Sequence, residues 1–334
     1  YLPDAVPRPS FGHIVPAEPE GKHFWFTGGL LLGWSDPQST PVLLAGPTGA
    51  LFGNDGSSLP LRAGYQLDGG LWLNADRTWA VEGGGLYLSP RTARADLAFL
   101  GDVPVGRPTF SPAGAGLDPL SGLGRTGGFS ADWSTRFATG DVNFRREIFR
   151  NEHLRVAATA GYRVAYLAET LGVGSATQTG DGIVRYEDRA ETRTMYHAGQ
   201  LGLSAGASYG PWTVDAIGKV GLGVGFGTTD LTGMGVGPGG EPLGGFLARP
   251  ANVGERRDAR FCTMPSLAVN VGRHVFDRGR VFLGYSLTYL TGIARPGDLL
   301  TAGDPGGSGL ALVRGTGPSD FWIRGVNVGM EWAY

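Results

Sequence analysis

Thirteen polar residues recur opposite runs of apolar neighbours: Gln66 and Asp68, Glu82, Asp141, Asn143 and Arg145, Arg155, Arg163 and Glu169, Gln200, Asp215 and Lys219, and Glu331. Side chains two apart along an extended backbone point the same way, so each group shares one side of a strand. Turned inward by a closed sheet, such groups either line a water path and set its ion selectivity or pair with one another and fill the interior, because an unpaired buried charge is costly. Both outcomes require a lumen, and neither is catalysis.

Other chemistry-bearing residues are less promising. Gly122-Leu123-Gly124-Arg125-Thr126-Gly127 spells a dinucleotide fingerprint, but it lacks the strand before it and the helix after it that would cradle a phosphate, so it is expected to be loop. None of His13, His23, His153, His197 and His274 stands at metal-ligand spacing from another; His153 and His274 belong to short turns, and His197 to a strand at membrane-boundary height. The single Cys262 excludes an intrachain disulfide and a cysteine-based zinc site. Arg295-Pro296-Gly297-Asp298 suits a turn at the base of a loop, with a ligand contact as the lesser reading. No cofactor, metal or catalytic group is expected.

The positioning elements show themselves by a period of two. From the C-terminus backwards, Tyr334, Trp332, Met330, Val328 and Val326 share one face, and Ala333, Glu331, Gly329, Asn327 and Gly325 the other. Such alternation marks a two-faced strand. Of ten segments of this kind, nine begin at about Phe24, Leu61, Trp79, Leu154, Arg193, Trp212, Arg260, Val281 and Phe321, and the fourth, after a long connection from about 90 to 128, ends near Phe149. Extra hairpins around Ala95 to Val105 or Ile183 to Glu191 would raise the count to twelve. The connections alternate long and short, as in a transmembrane antiparallel β-barrel with brief periplasmic turns and long extracellular loops. Phe24, Trp79, Tyr209, Trp212 and Tyr334, with Trp332 beside them, lie at the short-turn ends, and Trp34, Tyr87, Tyr166, Phe226 and Tyr289 at the long-loop ends. Two such rings suit the two headgroup boundaries of a membrane. A soluble β-sandwich also has two-faced strands, but its segments need only about six residues.

Composition agrees. Charged residues are 17% of the 334, and 59 are glycine, well above the usual ~7%. A net charge of −2 offers no basic field for nucleic acid. No apolar run approaches the ~18 residues of a membrane helix, so a membrane protein with this sequence crosses as a barrel. Residues 1–22, with five prolines, read as an extended periplasmic tether, and residues 23–334 as the barrel domain. The chain starts at Tyr1 without methionine, as expected after removal of a signal peptide.

Several stretches resemble a family of glycine-rich outer-membrane proteins, the seventh β-barrel porin family. They are Gly161-Tyr162-Arg163-Val164-Ala165-Tyr166-Leu167-Ala168-Glu169-Thr170-Leu171, Gly199-Gln200-Leu201-Gly202-Leu203, Gly218-Lys219-Val220-Gly221-Leu222-Gly223, Arg249-Pro250-Ala251-Asn252-Val253-Gly254, Gly284-Tyr285-Ser286, Ala294-Arg295-Pro296-Gly297-Asp298 and Gly325-Val326-Asn327-Val328-Gly329-Met330-Glu331. Their order matches the family and spans most of the chain from Phe24. The resemblance implies an outer-membrane barrel with porin-like behaviour and brings no catalytic residues.

The expectation is therefore a bacterial outer-membrane barrel with a narrow polar lumen for passive diffusion of ions or small solutes, embedded in outer-membrane lipid. Its C-terminal strand resembles the signal read by the barrel-assembly machinery. Ten strands lie near the size at which side chains fill a barrel, so the lumen is narrow or plugged, with Gly161, Gly202, Gly221, Gly223 and Gly329 leaving some room. The alternative is a structural barrel with a sealed lumen whose loops bind a surface protein. Pro41-Val42-Leu43-Leu44-Ala45-Gly46 and Gly244-Gly245-Phe246-Leu247-Ala248 are apolar for exposed loops and either fold over the mouth or meet a partner. An enzyme is the most distant reading: ten-stranded outer-membrane proteases place Asp and His pairs at the loop end, and no such pair is visible.

Overall fold

The computed structural model describes residues 23–35, 40–53, 61–100, 103–111, 114–122, 124–250, 252–276, 278–300, 302–303, 311–312 and 319–334. The expected tether and His13 lie outside them. Ten long strands follow in order: β1 Phe24–Ser35, β2 Arg62–Trp72, β3 Trp79–Phe99, β4 Thr126–Arg150, β5 Leu154–Thr179, β6 Gly182–Tyr209, β7 Trp212–Val236, β8 Gly254–Phe276, β9 Gly279–Ile293 and β10 Ser319–Ala333. Neighbours in sequence pair antiparallel, and β10 pairs with β1, so the sheet closes on itself. The seam ends where Phe24 and Tyr334 exchange backbone hydrogen bonds of 2.9 and 2.8 Å and stack their rings at 5.2 Å.

Closure leaves no free edge within the ring, although β3 above Leu88 and β8 before Ser266 pair on one side only, and alternation sorts the side chains. Leu30, Phe144, Leu201 and Val328 face outward and stand exposed, while Leu31, Phe137, Tyr196 and Met264 face inward and are fully buried. This is the inside-out pattern of a barrel whose outer wall meets hydrocarbon.

The strands are longer than their apolar alternation. Among the described residues no extra hairpin joins the barrel wall at Ala95 to Val105 or at Ile183 to Glu191: the first stretch carries β3 on to Phe99 and the second lies within β6. The top connection between β5 and β6 is accordingly the tight turn at Gly180-Asp181 rather than a long loop. Above Met195 the outward residues of β6 are Arg193, Glu191, Arg189, Glu187 and Arg185. Beyond the lipid the outer face turns to water, so the greasy alternation stops although backbone pairing continues.

Glycine works here by close approach. A Cβ on Gly161 would lie 2.1 Å from the Val142 carbonyl oxygen and 2.6 Å from Asn143 Cα, both backbone atoms of β4. The expected room in the lumen is not left empty: a Cβ on Gly202 would meet Thr159 Oγ1 at 2.7 Å, and one on Gly221 would meet the Tyr196 hydroxyl at 2.7 Å. Gly161→Ala is expected to prevent β4–β5 docking, seen as loss of the fast-migrating folded band in unboiled gel electrophoresis. A barrel that refolds normally would count against this reading.

Candidate functional site

The lumen divides into three levels. The lowest is a cavity of about 350 Å³ reaching the short-turn end, where Phe24, Ser208, His274 and Ala333 border it. Ten of the sequence-selected residues line it: Gln66, Asp68, Glu82, Asp141, Arg145, Arg155, Arg163, Asp215, Lys219 and Glu331. Asp141 on β4 accepts from Arg163 at 3.1 Å and, across the lumen, from Lys219 of β7 at 3.1 Å. Lys219 also stands 3.9 Å from Glu82, which Arg145 meets at 3.4 Å. A second group joins Arg280 to Asp215 and, at 2.9 Å, to Glu331. Asp68 accepts from Gln66 at 3.0 Å. Asn143 and Gln200 lie buried, bonded to each other at 2.8 Å.

Arg280 was not among the sequence candidates. It adjoins a turn, yet it sits on the face opposite Val281, Leu283 and Tyr285, so parity alone would have placed it inside.

The middle level is a seal. Inward side chains from most of the strands, among them Leu31, Leu88, Phe137, Leu167, Met264 and Phe321, meet in one apolar cluster. Above Phe137 and Leu167 lies Glu169, the remaining sequence candidate, which joins the seal rather than the cavity. Its two carboxylate oxygens accept from Arg295 Nε and Nη2, each at 2.9 Å, and their side chains are 0% and 4% exposed. Arg62, buried close by, donates to the Thr135 carbonyl at 2.9 Å. The Arg295 turn is a short 3₁₀ helix, Pro296–Leu300, with Asp298 accepting from the Arg295 N–H at 2.8 Å and from Ser319 Oγ at 2.7 Å. The turn at Arg295-Pro296-Gly297-Asp298 thus also sends Arg295 inward, where it is buried on Glu169.

The top level is a lid. Leu43, Leu44, Phe246, Leu247 and Ala248, from the two apolar loop stretches, are buried against Phe129, Trp133, Leu171, Val173 and Leu231 of the extended strands. Strands Leu44–Gly46, Gly49–Phe52, Gly106–Ser111 and Gly114–Pro119 make a small four-stranded sheet within the loops. One carboxylate fastens the β7–β8 loop: Asp188 accepts from the backbone N–H groups of Phe246, Leu247 and Ala248 at 3.1, 3.1 and 3.0 Å. Arg107 lies over the Phe246 ring at 3.9 Å and pairs with Asp118. Desolvation lowers its pKa, against the pull of that partner.

On the outer wall, Phe24, Trp34, Trp79, Tyr87, Tyr209, Trp212, Phe226 and Tyr334 are exposed, and Tyr166, Tyr289 and Trp332 partly covered. At the short-turn end arginines lie over these rings, Arg146 on Trp79 at 5.0 Å and Arg273 on Trp212 at 5.5 Å. His197 also faces outward, its Nδ1 2.7 Å from the Tyr162 hydroxyl.

A family model described as "Putative beta barrel porin-7 (BBP7)" matches residues 34–334. The chain belongs to this family. No curated protein matches it. Among solved structures, the outer-membrane protease OmpT of Escherichia coli aligns over 93% of this chain and 97% of its own, with a TM-score of 0.51 at 11% identity. At that identity the likeness concerns the fold alone. Ail of Yersinia pestis (TM-score 0.24, 7% identity, 94% of this chain and 99% of its own) and the toluene transporter TodX of P. putida (0.19, 9%, 93% and 90%) align too weakly to bear on the fold. The BBP7 chain is thus a porin-like β-barrel of the bacterial outer membrane.

Proposed function

We propose that this BBP7 barrel is a narrow porin whose charged lower lumen passes ions and small solutes passively, with the Arg295–Glu169 stopper and the lid keeping its resting state mostly closed. The charged 350 Å³ cavity carries this reading. A purely structural barrel gains little from ten charged and amide groups that face a cavity, since apolar packing of equal volume is as stable or more so. The mixed signs, bridged across the lumen by Lys219, suit weak and divisible binding of small ions.

In the same reading the protein is not an enzyme: His153 and His274 lie by turns, and His197 looks toward lipid. Phe24, Trp79, Tyr209, Trp212, Trp332 and Tyr334 mark the periplasmic headgroup layer, and Trp34, Tyr87, Tyr166, Phe226 and Tyr289 the outer one. Strand β10, ending on Tyr334, serves as the assembly signal. The apolar loop stretches are turned inward, which leaves them little to offer a surface partner.

Single-channel recording in planar bilayers tests the proposal. Wild type is expected to give small, infrequent openings. Arg163→Gln with Lys219→Gln leaves Asp141 without its cations and Glu82 with Arg145 alone, and open events should shift toward cation selectivity by about tenfold, given roughly 1 kcal/mol for each removed cation beside a water-filled cavity. Silence from a folded barrel, wild type and stopper variants alike, would reject permeation in favour of a sealed surface scaffold.

A further inference from the structure

We infer that the outer face of β4–β6 carries a site for the phosphate of an anionic lipid headgroup in the outer leaflet. Arg136 of β4 is the register partner of Ala168 of β5, which is the partner of Arg193 of β6, and both arginines are exposed on the outward face. Strands stand about 4.8 Å apart, so the two arginine Cα atoms are separated by roughly 10 Å with only a methyl group between them. Two guanidinium forks over a small residue suit the oxygens of a phosphate.

The height is right. One outward step toward the short-turn end, the register partners are Ala138, Tyr166 and Met195, the last of the apolar and aromatic face. One step the other way the outward residue of β6 is Glu191, and charge continues to Arg185. The notch therefore lies where hydrocarbon gives way to headgroups on the long-loop side, the outer side of such barrels. Below it the Tyr162–His197 hydrogen bond supplies a polar pair on the same face.

One acid flanks the site. Among the described residues no ion pair holds Arg136. Arg193 meets Glu191 at 3.0 Å with its own side chain 62% exposed, and exposed pairs of that kind are weak. The row continues through Thr228 to Arg257, which strand tilt offsets from Arg193 as much as it offsets Arg193 from Arg136; Arg257 pairs with Glu255 at 2.7 Å and forms the edge of the row, with the Arg136–Arg193 notch as the site. This inference is independent of whether the lumen conducts.

The test reconstitutes the whole barrel in phosphatidylcholine nanodiscs with and without lipid A, a bisphosphorylated glycolipid. Lipid A retained per barrel is counted by native mass spectrometry, and the unfolding midpoint is read in parallel. Wild type should retain lipid A and gain thermal stability, and the dephosphorylated glycolipid should do neither. R136Q/R193Q should lower retention roughly tenfold or more, the effect of two surface arginines near anionic headgroups. R185Q, higher on the same face and outside the Glu191 ion pairs, should leave it unchanged. Retention undiminished in R136Q/R193Q, or equal for the dephosphorylated lipid, overturns the proposal. So does a stabilisation that follows protein concentration instead of lipid, which would mark a contact between copies.

Discussion

Glu169→Ala is expected to turn a rarely conducting barrel into a steadily conducting one. The substitution removes the acid that holds Arg295 bidentately and leaves the Arg295 guanidinium, with Arg62 nearby, in the driest part of the lumen. Removing one partner of a buried pair costs about 3–5 kcal/mol, because the other charge stays uncompensated. The 3₁₀ turn can relieve that cost by lifting Arg295 toward water, whereas Arg62 belongs to β2 and cannot leave. At 1.4 kcal/mol per tenfold, the closed-to-open equilibrium should move by roughly two to three orders of magnitude. Glu169→Gln keeps one carbonyl for Arg295 and should give a smaller increase. Unboiled gel mobility establishes that each variant is folded, and conductance then decides: a folded Glu169→Ala barrel as quiet as wild type would show that Arg295 is not the stopper. Proton linkage adds a sign. Burial holds the Asp298 carboxyl above its usual range despite its hydrogen bonds from Arg295 and Ser319. A carboxyl raised by folding stabilises the turn most when protonated and less as pH rises through its folded value, so acidification should make openings rarer.

Asp188→Ala should unfasten the lid without touching the barrel wall. Its carboxylate satisfies three consecutive backbone N–H groups at 3.0–3.1 Å, in a place so tight that a Cβ on Gly233 or Gly245 would lie 2.2 Å from Asp188 Oδ1. Each buried donor left without an acceptor costs about 1–3 kcal/mol. With partial relaxation the loss is on the order of 3–5 kcal/mol, borne by the β7–β8 loop alone. Amide exchange at Phe246, Leu247 and Ala248 should accelerate by roughly a hundredfold or more, and protease should cut the loop in Asp188→Ala while sparing wild type. Asp188→Asn retains one acceptor oxygen and should fall between. Unchanged protection at those three amides would mean that apolar packing, not Asp188, holds the lid.

Much of the architecture is legible in the linear chain because lipid imposes a simple rule on it. Each crossing must pair its whole backbone and show an apolar outer face, so Leu154 to Tyr166 and Trp212 to Phe226 declare both strand and face by parity. The ten strands, the inward side of Asp141, Arg163 and Lys219, and the aromatic ends follow from that rule. Above the lipid the rule lapses. The upper part of β6 carries Arg185 to Arg193 outward and so does not read as barrel wall, although its backbone stays paired. Which inward groups meet is also a property of the closed barrel. Lys219 finds Asp141 from 78 residues away and Arg295 finds Glu169 from 126; these encounters depend on strand stagger and lumen width, which no local pattern encodes. The sequence by itself determined a two-faced, ten-stranded wall with a charged inner lining, since both are set residue by residue by what each face touches. The three-level lumen, with its cavity, Arg295 stopper and Asp188-fastened lid, was decided only when closure brought opposite walls and loops within contact distance.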